Sequence, residues 1–444
     1  MKRLFGRLSS KNSVVRIGGQ MKSRLKRAFL AVLLLLTAGA VRAADWSEWR
    51  GHGRDGICEE KNLLQKWPDG GPQLLWQAKG LGEGYSGPAI VDQTIYTMGK
   101  AKNTEFVLAL DIERQGAVLW KTPICKSKYK QAFKGTRPMP TVDGDRVYAL
   151  ETMGTLVCVD SKTGKLIWKK HFVDDFGGIV PRWGYAESVL IDGDKVVCMP
   201  GGDSATVVAM DKLTGEPLWK SGFGDKASYS SMLKVAHEGV EQYVGFTFEA
   251  VIGVRASDGE LLWRYKEPAH HADWGNVNVI VPIWSGGRVF ASSGYGHGGG
   301  MARIKKTEQG FRAEQVWYSR ELANLHGGVV LLDGKLYGTS DPKKDLICMD
   351  FDTGKVLWET GEVGKGSLLY ADGMLYCRDE RGPVSLVKAT PDGFVMTGRF
   401  EQPDRSKQPS WVHPVIADGK LYLRDQDLLL CYNVRDGDSE SARK

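Results

Sequence analysis

Hydrophobic and polar residues alternate along most of this chain in short runs, and the runs return in a fixed order. The clearest instance is Val157–Trp168. An apolar run (Val157-Cys158-Val159) leads into the turn residues Asp160-Ser161-Lys162-Thr163-Gly164, and a second run, Leu166-Ile167, ends on Trp168. The order recurs at Val207–Trp219 and Leu346–Trp358, and looser copies end at Trp120 and Trp263. In all five a glycine stands four residues before the tryptophan: Gly116, Gly164, Gly215, Gly259 and Gly354. Glycine supplies the positive φ of a tight hairpin, and Asp or Thr closes the turn with a side-chain hydrogen bond. A repeat this regular sets the architecture.

Tryptophan-ending strands fall at Trp76, Trp120, Trp168, Trp219, Trp263, Trp317 and Trp358, with Phe400 in the next place, 41–54 residues apart. Each interval holds three further strands. The first two are joined in most intervals by Asp143-Gly144, Asp192-Gly193, Gly286-Gly287, Asp333-Gly334, Asp372-Gly373 or Asp418-Gly419, and such dipeptides between alternating runs mark hairpins. Four strands per interval is a propeller blade. The three-strand sets begin near Tyr85, Arg137, Tyr185, Tyr229, Asn276, Leu325, Ser367 and Val412, which makes eight. The prediction is an all-β, eight-bladed β-propeller of four-stranded antiparallel blades over residues 74–436. The last set lacks a tryptophan strand and Leu74–Ala78 has no set before it. The Trp76 strand is therefore expected to complete the last blade, which removes two open sheet edges. Residues 44–73 have no periodicity and read as an N-terminal strap lying over the fold, because Trp46, Trp49 and Trp67 need burial. Residues 437–444 read as a polar tail.

Composition adds 55 Gly and 14 Trp, which suits many turns and a few large anchors. The formal charge of +7 is misleading, because residues 1–43 carry ten Lys or Arg and no acid, which leaves the rest at −3. A nucleic-acid partner is not expected of that remainder. Lys22–Arg27, the apolar Ala28–Ala40 and the small-residue site Val41-Arg42-Ala43 form a secretory signal, cleaved near Ala43. Its apolar part is too short for a transmembrane segment. Met21 is the more natural start, with 1–20 a doubtful extension. The expected product is a periplasmic or secreted monomer with no lipid-bearing cysteine after the apolar run. Seven cysteines invite a search for disulfides. Cys158, Cys348 and Cys431 share a repeat position that Ala109 and Ala209 also fill, so they behave as small buried hydrophobes. Cys58 and Cys125 are the least implausible bridge.

The repeat resembles the tryptophan-docking motif of the pyrroloquinoline quinone (PQQ) dehydrogenase-type propellers, Ala-x-Asp-x-x-Thr-Gly-x-x-x-Trp. The match is best at Ala209–Trp219, with one extra turn residue, and at Cys158–Trp168 and Cys348–Trp358 with Cys for Ala. The resemblance covers roughly residues 74–432 and implies that each tryptophan packs between neighbouring blades. Trp46-Ser47-Glu48-Trp49-Arg50-Gly51, with Trp67-Pro68 and Gly82–Ser86, is also similar to an exported PQQ-like subgroup mostly of unassigned activity.

In a propeller the innermost strands line an axial channel, and the residues leading into them ring one mouth. In order these are Glu83 and Tyr85; Arg137; Arg182, Trp183, Tyr185 and Glu187; Tyr229; Asp273, Trp274, Asn276 and Asn278; His326; Lys365 and Ser367; Trp411 and His413. Aromatic walls with convergent charge suit a flat, anionic, hydrogen-bonding ligand. The resemblance implies PQQ in that place, with Trp183, Trp274 and Trp411 as platforms and Arg137 and Arg182 as carboxylate partners. It also implies Ca2+, for which Glu187 and Asn276 offer oxygen ligands, with Asp273 as base. The adjacent cysteine pair and covalent-haem motif of the quinoprotein alcohol dehydrogenases are absent. Three functions stand: a propeller binding a small molecule or protein at its funnel without redox turnover, a PQQ-dependent dehydrogenase of alcohols or sugars, and an outer-membrane protein assembly scaffold of the BamB type. Gly294-Tyr295-Gly296-His297-Gly298-Gly299 spells a dinucleotide fingerprint, but a strand rather than a helix pattern succeeds it, so it reads as a flexible blade loop. His270-His271-Ala272-Asp273 lacks a matched third metal ligand.

Overall fold

The computed structural model describes residues 45–127, 132–269, 277–341 and 343–437. The signal peptide, Asp273, Trp274, Asn276, the His270–His271 pair and the last seven residues of the tail lie outside them. The described residues form eight sheets and one five-residue helix, Phe172–Phe176. Blade one is Ala89–Val91, Thr94–Ala101, Thr104–Asp111 and Ala117–Lys126; blade two runs from Thr141 to His171, and blade three from Leu190 to Ser221. Leu233–Tyr265, Ile283–Ser319, Val329–Thr360 and Gly366–Phe400 supply blades four to seven. In blade eight the order is Gln73–Lys79, Leu428–Asn433, Lys420–Asp425, Val415–Ala417, with Trp76 opposite Cys431. This is an eight-bladed propeller of four-stranded antiparallel blades. Except in blade seven, the innermost strands start a few residues later than the sequence suggests. The residues from Tyr85, Arg137, Tyr185 and Tyr229 onward are lead-in segments that bond to neighbouring blades instead of pairing in their own.

The repeat has a mechanical reason. In the turn after the third strand of blades two, three and six an Asp carboxylate gathers the backbone and hydroxyl of the Thr: Asp160 with Thr163, Asp211 with Thr214, Asp350 with Thr353. The glycine then takes a φ of +69° to +75° at Gly164, Gly215 and Gly354. Its second duty is space. A Cβ on Gly164, Gly215, Gly259 or Gly354 would lie 2.5–2.8 Å from the ring of Trp120, Trp168, Trp219 or Trp317, each on the preceding blade. Four indoles also donate to a carbonyl in the next blade: Trp120 to Ser161, Trp168 to Lys212, Trp317 to Phe351 and Trp358 to Thr390. In blade seven the tryptophan's register position is held by Gly398, and Phe400 stands two residues further on; in the other blades a β-bulge precedes the docked tryptophan, as between Leu166 and Trp168. It turns the ring sideways toward the next blade and leaves Leu119, Ile167, Leu218, Val316 and Leu357 on the surface.

Blades seven, eight and one are joined by buried arginines. Arg378 donates to the Val412 and Arg424 carbonyls and to Gln402. Arg424 donates to the Gly82, Ser86 and Met98 carbonyls and to Thr97.

The strap does not lie over the outside along its whole length; residues 46–58 cross the axis. Trp46 bridges Ile90 of blade one, and the Ser47 carbonyl accepts from Val142 of blade two. Arg54 donates to the Ser188, Val189 and Met232 carbonyls at blades three and four, and pairs with Glu48 at 2.7 Å. Arg50 donates to the Val329 carbonyl of blade six, and Ile57–Cys58 adds a parallel strand to blade seven. A segment bonded to innermost strands on all sides of a ring must fill its middle. The channel needs filling because the innermost strands and their lead-ins carry many small residues, among them Ser86, Ser188, Ser230 and Ser231. Of the strap's three tryptophans Trp67 is the one in an outer position, against Phe400 and Tyr376. Cys58 and Cys125 are not bridged: all seven cysteines are free, Cys58 in the strap and Cys125 at the outer edge of blade one.

The tryptophan–glycine contact makes a double-mutant cycle informative. Trp168→Ala should cost roughly 3–5 kcal/mol, as expected for a buried aromatic, and Gly215→Ala should also destabilise by displacing the same ring. The pair together should cost clearly less than the sum of the singles in urea unfolding, because each removes the same contact; strict additivity would show that the ring and the glycine do not depend on one another.

Candidate functional site: a blind axial funnel

Because the strap crosses the axis, the channel is a cup rather than a pore. Its cavity of ≈ 270 Å³ is lined by Trp49, Tyr85, Phe133, Arg137, Trp183, Ala186, Tyr229, Val277, Val279, Tyr295, Leu325, His326, Lys365 and Trp411. Trp49 is the strap's contribution, tilted against His413 with centroids 4.6 Å apart.

The aromatic wall is continuous. Trp411 meets His326 at 4.5 Å, Phe133 at 4.7 Å and Tyr85 at 5.0 Å, and Phe133 reaches on to Trp183 at 6.2 Å. The Trp183 amide donates to the Tyr229 hydroxyl, which fixes one platform by the next lead-in segment. The Trp411 indole donates to Glu380 (3.2 Å), and Lys365 sits between Asp341 (2.9 Å) and Glu380 (3.4 Å). Asp341 also receives the Tyr295 amide, so the loop from Gly294 is a tied turn that delivers Tyr295 to the funnel. Arg137 presents its guanidinium from blade two, bonded to the carbonyls of Phe133 and Gly135. Burial, with Lys365 and His413 adding to it, pushes the His326 imidazole down to about 3. His413 falls to about 3 by burial and the nearby Arg50, and its Nε2–H donates to the His326 carbonyl. Both rings are neutral at ordinary pH.

Comparison with known proteins now fits the geometry. Residues 103–360, more than half of the chain, match the family described as "Outer membrane protein assembly factor BamB", a PQQ-like repeat family. The chain belongs to that family. Among solved structures, BamB from Moraxella catarrhalis superposes with a TM-score of 0.59 at 14% identity, covering 82% of this chain and 99% of that one. A quinohemoprotein alcohol dehydrogenase from Pseudomonas putida gives 0.59 at 14% identity, with 88% and 80% covered. The quinohemoprotein alcohol dehydrogenase from Comamonas testosteroni gives 0.59 at 13%, with 90% and 82% covered. These likenesses show the fold. No curated protein matches the chain at a significant level.

In this PQQ-like propeller the funnel gathers Tyr85, Arg137, Trp183, Tyr229, His326, Lys365 and Trp411 from the sequence-derived set. It does not gather the rest of the described ones. Tyr185 is core, its hydroxyl on the Pro200 carbonyl. Arg182 stands outside the cup, its guanidinium 5.3 Å over the Trp183 ring. His413 lies below the cup, against a smaller cavity beside Arg50. Glu83 pairs through its backbone with Lys100, and the Ser367 hydroxyl bonds to the Val412 carbonyl. Asn278 turns away, donating to the Thr247 and Phe248 carbonyls, while its neighbours Val277 and Val279 line the wall. Glu187 shows the same phase: Ala186 faces the funnel, and Glu187 is buried with the Met199 amide on one oxygen and no protein partner on the other. Polarity misassigned the phase, because in the lead-in segments polar side chains hold neighbouring loops together. Phe133, Tyr295 and Trp49 were missed. Only the aromatic character of Trp49 gave a sequence signal, and it pointed to burial rather than to a wall.

Burial pushes the Glu187 carboxyl up to about 8, against a usual value of 4.5. The folded protein therefore keeps a proton that the unfolded chain has lost between those two values, and stability falls as pH rises through that window. Glu187→Gln, which keeps the shape without the ionisation, should flatten the decline in melting temperature between pH 5 and 8. A decline of equal slope in the variant would place the titrating group elsewhere.

Proposed function

We propose that this protein is an exported PQQ-like propeller that binds a small, flat, anionic ligand in its axial funnel. The observation that carries the reading is the combination of two stacking surfaces, Trp183 and Trp411, with the guanidinium of Arg137 in one cup closed by the strap. Aromatic faces recognise a planar ring, and a guanidinium recognises a carboxylate in its plane. Trp183 is partly exposed to the cup, so a planar ligand stacked on it would bury further apolar area.

PQQ is a flat polyanion, and Trp183, Trp411 and Arg137 are the residues that would hold it. Bound, such a quinone supplies two-electron redox chemistry; the chain's own contribution would be to stack, orient and exclude water. Of the two Ca2+ ligands the resemblance implies, Asn276 lies outside the described residues. Glu187 is buried with one oxygen on the Met199 amide, and no group of three His, Cys, Asp or Glu side chains stands together around it or elsewhere among the described residues. The family match supports a second reading, a platform for a protein partner of outer-membrane assembly, which co-purification of such a partner from the native source would favour.

The test is native mass spectrometry of protein from its own source, together with calorimetric titration of 2,6-naphthalenedicarboxylate. A retained small molecule and binding of the diacid are expected. Trp183→Ala should weaken that binding about tenfold or more, the loss of one stacking face, while the melting temperature stays nearly unchanged. Unaltered binding with a large drop in stability would make Trp183 a core residue and remove the reading.

A further inference from the structure

Resting on the funnel reading above, we infer that Phe133 and Arg137 form a gate that makes the cup selective for ligands carrying both a flat ring and an anionic group. Phe133 occupies the place such a ring would take. Its ring stands between the two platforms, 4.7 Å from Trp411 and 6.2 Å from Trp183. It is held there at a price in backbone strain: its φ is +57°, a left-handed conformation that a bulky side chain rarely adopts. The ring is also 36% exposed, so it is inserted without being built into the core.

The clamp is Arg137. Its Nη2 donates to the Phe133 carbonyl at 2.7 Å and its Nη1 to the Gly135 carbonyl at 3.2 Å. The neighbouring backbone is fixed: Thr136 pairs with Gly84, its carbonyl accepts from the Tyr85 amide at 2.6 Å, and a Cβ on Gly135 would lie 2.4 Å from the Glu83 carbonyl oxygen. Turning Phe133 out of the slot about the anchored Gly135 breaks the Arg137 bond to its carbonyl.

A neutral aromatic that displaces Phe133 breaks that bond and brings no ionised acceptor in its place. An aromatic carboxylate replaces it, because an ionised acceptor forms a stronger bond to guanidinium than a neutral carbonyl does. The anion releases the clamp and the ring fills the slot that opens. Selectivity thus arises from the closed state as well as from the ligand's own charge, since apparent affinity is reduced by the fraction of molecules that stand open.

Calorimetric titration of the full chain with 2-naphthoate and with the neutral 2-naphthalenemethanol tests this. The native protein should prefer the acid about tenfold, the ratio one charge-assisted hydrogen bond commands. In Phe133→Ala the slot is already vacant, so the alcohol should tighten and the preference should fall to within about threefold by the same reckoning. Arg137→Gln, which frees the carbonyl while Phe133 remains, should tighten the alcohol and weaken the acid. A simple cationic pocket behaves otherwise: Phe133→Ala would keep the full preference, and Arg137→Gln would leave the alcohol unchanged. Either result overturns the gate while leaving the funnel as a binding site. Failure of both compounds to bind either the native protein or Phe133→Ala would overturn the gate and the funnel reading together.

Discussion

The structure depends on one contact made again and again: an indole laid on a glycine of the next blade. Trp120 on Gly164, Trp168 on Gly215, Trp219 on Gly259 and Trp317 on Gly354 each need a backbone with nothing on its Cα. The same glycine needs positive φ for its hairpin. One residue type thus meets a conformational and a steric demand at once, and neither can be relaxed alone. Because each contact joins blade to blade, the blades hold one another at a fixed angle. Eight of them close a ring whose axis is wider than their own side chains fill.

That unfilled axis decides the rest. The strap inserts Trp46, Arg50 and Arg54 into it, and the arginines satisfy carbonyls that the innermost strands and their lead-ins turn inward. Buried guanidiniums are costly, and Arg50 is pushed down to about 10 by desolvation. Arg54 offsets the cost with Glu48 and three carbonyls. The outcome is a floor under the funnel. Trp49, carried on that floor, brings the segment that precedes all the blades into the wall of the cup.

The funnel differs in character from the ring that makes it. Blade contacts repeat and are nearly interchangeable; the lead-in segments do not repeat at all. Each reaches its neighbour by a different bond, as Tyr229 does to Trp183, Asn278 to Phe248 and His413 to His326. The scaffold is periodic where strength is wanted and irregular where a ligand would be recognised.

The sequence by itself determined the features that local periodicity dictates: strand alternation, the Asp-Thr-Gly turns, the aromatic spacing, and from these an eight-bladed ring. It also named seven funnel residues, because aromatic and cationic side chains at the mouth of a channel have few other reasons to be there. Tertiary structure alone decided which way the lead-in segments face. Asn278 and Glu187 are polar and point away, while Val277, Val279 and Ala186 are not and line the cup. The physical reason is that a polar side chain answers to whichever unsatisfied group lies nearest. In a ring that group belongs to a neighbouring blade some 40–50 residues distant, as with Thr152 and Glu105. The path of the strap was hidden for the same cause: the acceptors of Arg50 and Arg54 lie up to 279 positions away, and only the closed ring brings them together.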